Sequence, residues 1–431
     1  MSEVITKVFV KYIESLAETS FSAGVLRKAR ECFIDYLSCL MGGSNGFALN
    51  GDTDSFLSAL QFGYSAHLLE LDDGHRKGAV HVGSTVFSAL LAEAKRQQMS
   101  SSDFLTGVIV GYEATVRLAC AVQPGNKLRG YHATGTCGTV GAALGIAAAL
   151  HYTEEQINTT LAAAVTGAAG VLEMQEDDSD LKPYNVGRAA MDAVAAAYIG
   201  RSGMKGPKDA LGGKRGFLKV MTDEPHSAYL TDFTSKTFCI EQIYQKVYAA
   251  CRHAHPAIEA ALALRNGVSM DDIEHIQVQS YKLAIAGHDH KEVCGVNSAK
   301  MSIPFSVAVS LIKGDAGLQA FTEETIADAK TLKLTQKVDV EEDVLLTAQS
   351  PAKRASIVTI QTGKGTITKQ VDYPKGEPEN PLSKEELEEK FRKLAMYGGL
   401  TAEECEVVIE EIWKDEFSID RILRIVCKAI A

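Results

Sequence analysis

Apolar residues recur at helical spacing through the first half of the chain, over residues 3–18, 22–42, 52–70, 84–98, 102–121, 136–150, 154–172 and 186–202. A stripe at i, i+3, i+4 and i+7 predicts helix after helix, with almost no strand signal between them. Polar residues mark the starts: Ser101, Ser102 and Asp103 stand before Phe104, and Thr153, Glu154 and Glu155 stand before Ile157. The segment from Gly138 to Leu150 is built almost entirely from Ala, Gly and small aliphatic residues. Side chains of that size let helices approach closely, which predicts interior helices.

The pattern changes after about residue 238. Residues 273–280, 355–361 and 366–372 alternate in the manner of strands, with helices predicted at 254–266 and 302–313. Gly363-Lys364-Gly365 reads as a hairpin turn between two of the strands. A turn-rich linker from Asp372 to Pro381 leads into Ser383-Lys384-Glu385-Glu386, a capped helix start, and the last fifty residues are helical again. The fold class expected is mainly α with an α+β second domain. Residues 1–238 and 384–431 would form a large all-helical domain, and 239–383 a smaller α+β lid domain.

At 431 residues the chain can bury a substantial core, and 46% hydrophobic with 23% charged residues is an ordinary globular composition. A net charge of −11 without a long basic run argues against nucleic acid or an anionic membrane as partner. The nine cysteines include no CxxC pair, and their odd number argues against a secreted disulfide framework. The N-terminus has acids among its apolar residues, unlike a signal peptide, and no uninterrupted apolar stretch approaches the ~18 residues of a membrane span. A cytoplasmic protein with reduced thiols is expected.

Several apparent motifs lack the context their chemistry requires. Gly42-Gly43-Ser44-Asn45-Gly46 fits G-x-S-x-G, but a helix precedes it where a nucleophile elbow needs a strand. Gly135, Gly138 and Gly141 are spaced GxxGxxG with no strand before them, and Leu211-Gly212-Gly213-Lys214-Arg215-Gly216 lacks the spacing and hydroxyl of a phosphate loop. His288-Asp289-His290 with Cys294 offers metal-ligand residue types, but no completing ligand stands at a known spacing, and the segment reads as a polar loop.

Three other segments gather polar groups at helix starts. Residues 66–84 concentrate Glu70, Asp72, Asp73, His75, Arg76, Lys77 and His81 just before an apolar helix. Gly130-Tyr131-His132-Ala133-Thr134-Gly135-Thr136 sets an imidazole and two hydroxyls at the mouth of the Ala/Gly helix, where free N–H groups favour an anion. Lys182 stands before another Ala-rich helix that carries Arg188. Each segment alone has a bland reading as satisfied or solvated polar groups.

Together they resemble the MmgE/PrpD (2-methylcitrate dehydratase) family over nearly the whole chain. The likeness lies in Cys32–Gly43, in Asp72-Asp73-Gly74-His75 with His81-Val82-Gly83-Ser84, and in Gly111-Tyr112-Glu113 with Arg117. It continues through Tyr131–Thr136, Lys182-Pro183 with Gly187-Arg188-Ala189-Ala190, His255–Glu259, Ala299–Ala308 and Gly376–Ser383. Eight segments in the right order form a specific signature.

The resemblance implies an enzyme without metal or other cofactor, typically a homodimer, acting on a small polycarboxylate. The family's reactions include dehydration of 2-methylcitrate-like acids, decarboxylation of cis-aconitate and epimerisation of iminodisuccinate. It implies His132, Lys182 and His81 as catalytic residues, with Asp73 and His75 in the adjoining acidic loop. Arg188, Lys300, Thr134, Glu70 and Phe305 stand at positions that would meet substrate. On this reading His132 or Lys182 moves a proton at the carbon next to a carboxylate, His81 acts as the opposite partner, and Arg188 and Lys300 hold carboxylates. A hydro-lyase is expected first, with a decarboxylase or epimerase as the alternative and a non-catalytic carboxylate-binding protein as the other class. The chain departs from the family pattern at Glu70 (usually Asp), Gly74 (usually Thr), Val82 (usually Pro) and Phe305 (usually Tyr).

Overall fold

The computed structural model describes residues 4–47, 54–176 and 178–430. It is mainly helical with a smaller α+β part, in accord with the class read from the sequence. The chain divides into two compact units: Met1–Met174, Leu181–Tyr244 and Ser383–Ala431 form one, Gln175–Asp180 and Gln245–Leu382 the other.

The first unit is built from α1 (Ile5–Ala17), α2 (Ala23–Gly43), α3 (Ser55–Leu68), α4 (Gly83–Arg96), α5 (Ser101–Val122), α6 (Ala133–Ala149), α7 (Glu154–Gly167) and α8 (Lys182–Gly200). The predicted starts at residues 3 and 52 lie outside the described residues. Caps explain several of the observed starts. The Ser100 hydroxyl accepts from Asp103 N, so α5 begins one residue earlier than its polar run suggested. Thr153 and Gln156 close a capping box on α7.

The centre of this unit is α6, every residue of which is buried, packed on α5, α8 and α4. Glycines permit the approach. A Cβ on Gly141 would lie 1.8 Å from Thr115 Oγ1, and one on Gly145 would lie 2.6 Å from the Gly107 carbonyl. Likewise α3 meets α8 where Gly63 faces Gly187, whose Cβ would sit 2.3 Å from the Leu60 carbonyl. Helix α5 is long and apolar enough to cross a membrane by length and composition, and it is buried among the other helices of the core.

Several helix boundaries differ from the periodic reading, two of them by four residues or more, both beside candidate site residues. Helix α7 stops at Gly167 instead of running to 172. The residues that follow run next to the loop before α6, where Val171 bridges Tyr131 and the Gly170 carbonyl accepts from His132 N at 3.0 Å. Helix α8 starts at Lys182, four residues before the predicted 186, with Pro183 in its first turn.

The second unit holds α9 (His255–Leu264), β1 (Ile273–Ser280), α10 (Ile303–Lys313), β2 (Val338–Glu342), β3 (Ser356–Thr362) and β4 (Gly365–Val371). Its sheet has the order β2-β1-β3-β4, with β1 and β2 parallel and the other neighbours antiparallel. Ile276 and Val278 on β1 and Val358 and Ile360 on β3 alternate into the core, where α9 packs on β3 and β4. The chain then returns to the first unit as α11 (Lys384–Tyr397), α12 (Ala402–Ile412) and α13 (Ile419–Ile430). Capping boxes at Ser383/Glu386 and Thr401/Glu404 start the first two of these.

Candidate active site

His132 is the N-cap residue of α6, so its side chain projects where the helix begins. Its backbone N–H is fixed by the Gly170 carbonyl, and its own carbonyl accepts from Gly135 N at 2.9 Å and Thr136 N at 3.1 Å. The residue is 6% exposed, and its Nδ1 has no hydrogen-bond partner among the described residues. Burial first, and then the neighbouring His67, Lys182 and His81, hold its pKa well below the usual imidazole value, with Glu70 pulling the other way. At neutral pH this is an uncharged imidazole with a buried polar atom left for a ligand to satisfy.

Two further imidazoles stand beside it. The His67 ring, at the end of α3, is centred 5.8 Å from that of His132 and 4.8 Å from that of His81. His67 Nδ1 binds Asp72 Oδ2 at 2.7 Å, and the same oxygen lies 3.4 Å from His81 Nδ1. His81 Nδ1 also meets the Asp73 carbonyl at 2.8 Å. A carbonyl can only accept, so Nδ1 carries the hydrogen and Nε2 is the nitrogen through which a neutral His81 would accept a proton. His81 N donates to Thr134 Oγ1 at 3.1 Å, which ties this loop to the first turn of α6.

Lys182, the first residue of α8, forms an ion pair with Glu70. Glu70 sits at φ 57°, a left-handed conformation forced on a non-glycine residue. Its Oε1 also lies 3.8 Å from His67 Nε2. Cation, carboxylate and imidazoles thus form one contiguous group, with His67, Glu70 and His132 buried and Lys182 and His81 partly exposed.

Asp73 braces the loop from below. Its Oδ1 accepts from Val82 N at 3.2 Å and Gly83 N at 2.8 Å, capping α4, and its Oδ2 accepts from the Tyr112 hydroxyl at 2.5 Å. Burial pushes the Asp73 carboxyl up to about 7; Asp35 and Asp72 add to the rise, while the bonds from Tyr112 and Gly83 oppose it. A Cβ at Gly83 would stand 2.6 Å from that tyrosine hydroxyl, so the residue after Val82 has no room for a side chain. Behind the loop, Lys390 of α11 donates to Asp35 Oδ1 at 2.6 Å and to the Leu71 carbonyl at 2.8 Å.

The remaining residues singled out from the sequence take other places. His75 Nδ1 accepts from Gly78 N at 3.1 Å and lies 3.9 Å from Cys120 Sγ. With Lys77, Cys120, His226 and Tyr229 it lines a separate cavity of about 670 Å³. Arg188 is directed inward to the Gly167, Ala169 and Gly135 carbonyls and to Asp192. That clamp joins the end of α7, the segment after it and the first turn of α6. Lys300 and Phe305 belong to the second unit, where Phe305 is fully buried in α10.

Sequence reasoning missed His67 and Tyr112 as members of the group. His67 stands in an apolar helix whose periodicity gives a polar residue no special mark, and Tyr112 stood out only as part of a motif. The departure at Gly74 also has a structural counterpart. Its backbone bridges Tyr244, and a Cβ there would lie 2.4 Å from the Tyr244 hydroxyl, so a tyrosine ring fills the space of a side chain at this position.

His67, Asp72 and His81 present donor atoms within 4.8 Å of one another, close enough to hold a metal ion. The Nδ1 atoms of both histidines are already used in bonds to Asp72 and the Asp73 carbonyl. Through Asp72 the two imidazoles form a carboxylate-linked pair, each with its Nε2 as the other ring nitrogen. Chemically, the group combines an uncharged base candidate at His132, an acid candidate at Lys182, and a histidine pair able to share a proton.

Residues 46–229 match the MmgE/PrpD N-terminal domain, and residues 248–415 match the MmgE/PrpD C-terminal domain. Among similar proteins, a cis-aconitate decarboxylase of Aspergillus terreus (strain NIH 2624 / FGSC A1156) is 28% identical over 391 residues, covering 82% of this chain and 76% of that protein. The cis-aconitate decarboxylase of Homo sapiens is 25% identical over 353 residues, 77% of this chain and 70% of that protein. A mitochondrial 2-methylcitrate dehydratase of Yarrowia lipolytica (strain CLIB 122 / E 150) is 26% identical over 209 residues, 45% of this chain and 40% of that protein.

Proposed function

The chain belongs to the MmgE/PrpD family, and from that premise we propose that it is a lyase that transfers a proton at the carbon next to a carboxylate of a small, citrate-like polycarboxylate. The observation that carries this reading is His132: a buried, uncharged imidazole with an unpartnered Nδ1, grouped with the Lys182–Glu70 ion pair. Such a pairing supplies a base and an acid at one place, which proton transfer at carbon requires. The positive end of α6 and the Lys182 ammonium favour the substrate's negative charge and the charge that develops during reaction.

Decarboxylation of a cis-aconitate-type acid is the first reading, because the likeness to decarboxylases extends over 82% of the chain and that to a methylcitrate dehydratase over 45%. In that reaction the electron pair of the C–C bond to one carboxylate moves into the conjugated alkene. Carbon dioxide leaves, and Lys182 or a protonated histidine delivers a proton to carbon. Dehydration is the second reading, favoured by the uncharged state of His132. There His132 takes the α-proton, the electron pair forms the alkene, and Lys182 or His81 protonates the departing hydroxyl.

Incubation with cis-aconitate, citrate, 2-methylcitrate and iminodisuccinate in deuterated water, followed by NMR, separates the readings. Carbon dioxide release with one solvent deuteron at carbon marks the decarboxylase; loss of water marks the hydro-lyase. Deuterium entry with neither loss would make the protein an epimerase, and saturable binding without turnover a carboxylate-binding protein. Either result would overturn the proposal. With the reacting acid, His132→Gln should lower kcat by about 10²–10⁴-fold while the fold is retained. Full turnover by that variant would remove His132 from the chemistry.

A further inference from the structure

The histidine pair His288 and His290, set aside in the sequence as an incomplete metal motif, is split by the fold. His290 Nε2 lies 3.1 Å from the Ser298 carbonyl, and Cys294 is exposed. His288 instead meets Cys251 and His253, distant in sequence and in the same unit. The three residues present one donor atom each within 4.8 Å of one another, and Cys251 Sγ lies 3.8 Å from His288 Nε2.

Bonds around the trio hold it in place. Cys251 N donates to the Lys300 carbonyl at 2.9 Å, and Ile303 N donates to the His288 carbonyl at 2.8 Å, so both segments are laced to residues 300–303. His288 Nδ1 lies 2.9 Å from the Met301 carbonyl. Since a carbonyl only accepts, Nδ1 carries the hydrogen and the lone pair is on Nε2, the atom facing the sulfur. His253 Nδ1 lies 2.5 Å from the hydroxyl of the fully buried Tyr281. When that hydroxyl accepts, His253 likewise presents a ligating Nε2. An outer acceptor on one ring nitrogen with the other turned to a common point is how metal-binding imidazoles are oriented.

We propose that Cys251, His253 and His288 bind a single transition-metal ion, with Zn²⁺ the best match to one thiolate and two imidazoles. Zinc–sulfur and zinc–nitrogen bonds of about 2.3 and 2.0 Å meeting at a tetrahedral angle separate the two ligand atoms by about 3.5 Å. Closing the present Sγ–Nε2 distance of 3.8 Å to that value needs only a small rotamer adjustment. Three protein ligands leave the fourth position to water or another small ligand. Binding displaces the thiol proton to solvent, so affinity rises with pH. The site is independent of the lyase assignment, since none of its three residues enters that chemistry.

Titration of the metal-stripped full-length protein with Co²⁺ reads the site directly, because a thiolate ligand gives a charge-transfer absorption and tetrahedral cobalt gives visible bands. One equivalent should bind with both signals, and Zn²⁺ should displace it. Cys251→Ser should abolish the charge-transfer band, and His288→Gln should abolish the tetrahedral signature. Tyr281→Phe, which keeps all three ligands, should weaken binding by roughly 10–100-fold, and His290→Gln should change nothing. Circular dichroism confirms that each variant is folded. Absence of stoichiometric uptake, or a thiolate band that persists in folded Cys251→Ser, would overturn the proposal.

Discussion

Asp73 occupies a place where water cannot screen its charge, and its ordinary ionisation is suppressed as a result. In the unfolded chain an aspartate titrates near 3.9, whereas in the fold burial raises Asp73 to about 7. Between those values the unfolded chain holds fewer protons than the folded one, so this residue makes stability fall as pH rises through that window. Asp73→Asn keeps an oxygen for Val82 N and Gly83 N and removes the titration. Urea unfolding of both proteins at pH 5 and pH 8 should show the variant gaining on the parent at the higher pH, by at most about 1.4 kcal/mol per pH unit. An unchanged difference between the two pH values would show that Asp73 does not titrate in this range. At this scale the sequence was legible where chemistry clusters locally: His132, Lys182, Glu70 and His81 were named from their segments, and the fold brings them together. Asp35 and Lys390 were not legible as partners, because they meet across most of the chain, where no local pattern encodes a contact; His67 was not legible because its apolar helix gives a polar residue no special mark.

The helices were legible because their stripes are long, and their ends were not where a neighbour claimed the backbone. Thus α7 yields at Gly167 so that Gly170 can bind His132 N, an exchange that periodicity cannot register. Strand β2 went unread because only Val338 and Val340 interrupt a charged, mostly exposed run. The small-residue packing read from the Ala/Gly helix carries a direct prediction. Gly141→Ala would place a methyl 1.8 Å from Thr115 Oγ1 and 2.7 Å from Thr115 N, the latter a backbone atom unable to turn aside. Forcing α5 and α6 apart should cost about 1–3 kcal/mol in urea unfolding. The substitution should also lower activity, since His132 stands at the start of the displaced helix. A variant as stable as the parent would mean that the two helices slide past one another freely.

Across the whole molecule, the first unit is assembled from the two ends of the chain. Lys390, contributed by the returning α11, supplies the counter-charge for Asp35 beneath the acidic loop. Burial opposes the lysine's charge, and Asp35 with Asp72 more than offsets it, so its pKa is raised. Lys390→Met should leave the Asp35 carboxylate buried and uncompensated, at a cost of about 3–5 kcal/mol. Adding Asp35→Asn should restore much of that loss. If Lys390→Met alone unfolds at the parent's urea midpoint, the pair contributes nothing to stability.

That return of the chain sets a schedule during synthesis. The ribosome must finish the whole second unit before it makes α11, a delay on the order of ten seconds at about 5–20 residues per second. Throughout that interval Asp35, Asp72 and Asp73 are already present without their lysine. The early helices therefore spend the delay as an incomplete, acid-rich assembly with apolar surface still to be covered. A nascent chain at this stage is a natural client for holding chaperones, and the α+β unit, contiguous but for a six-residue segment, has the opportunity to fold first.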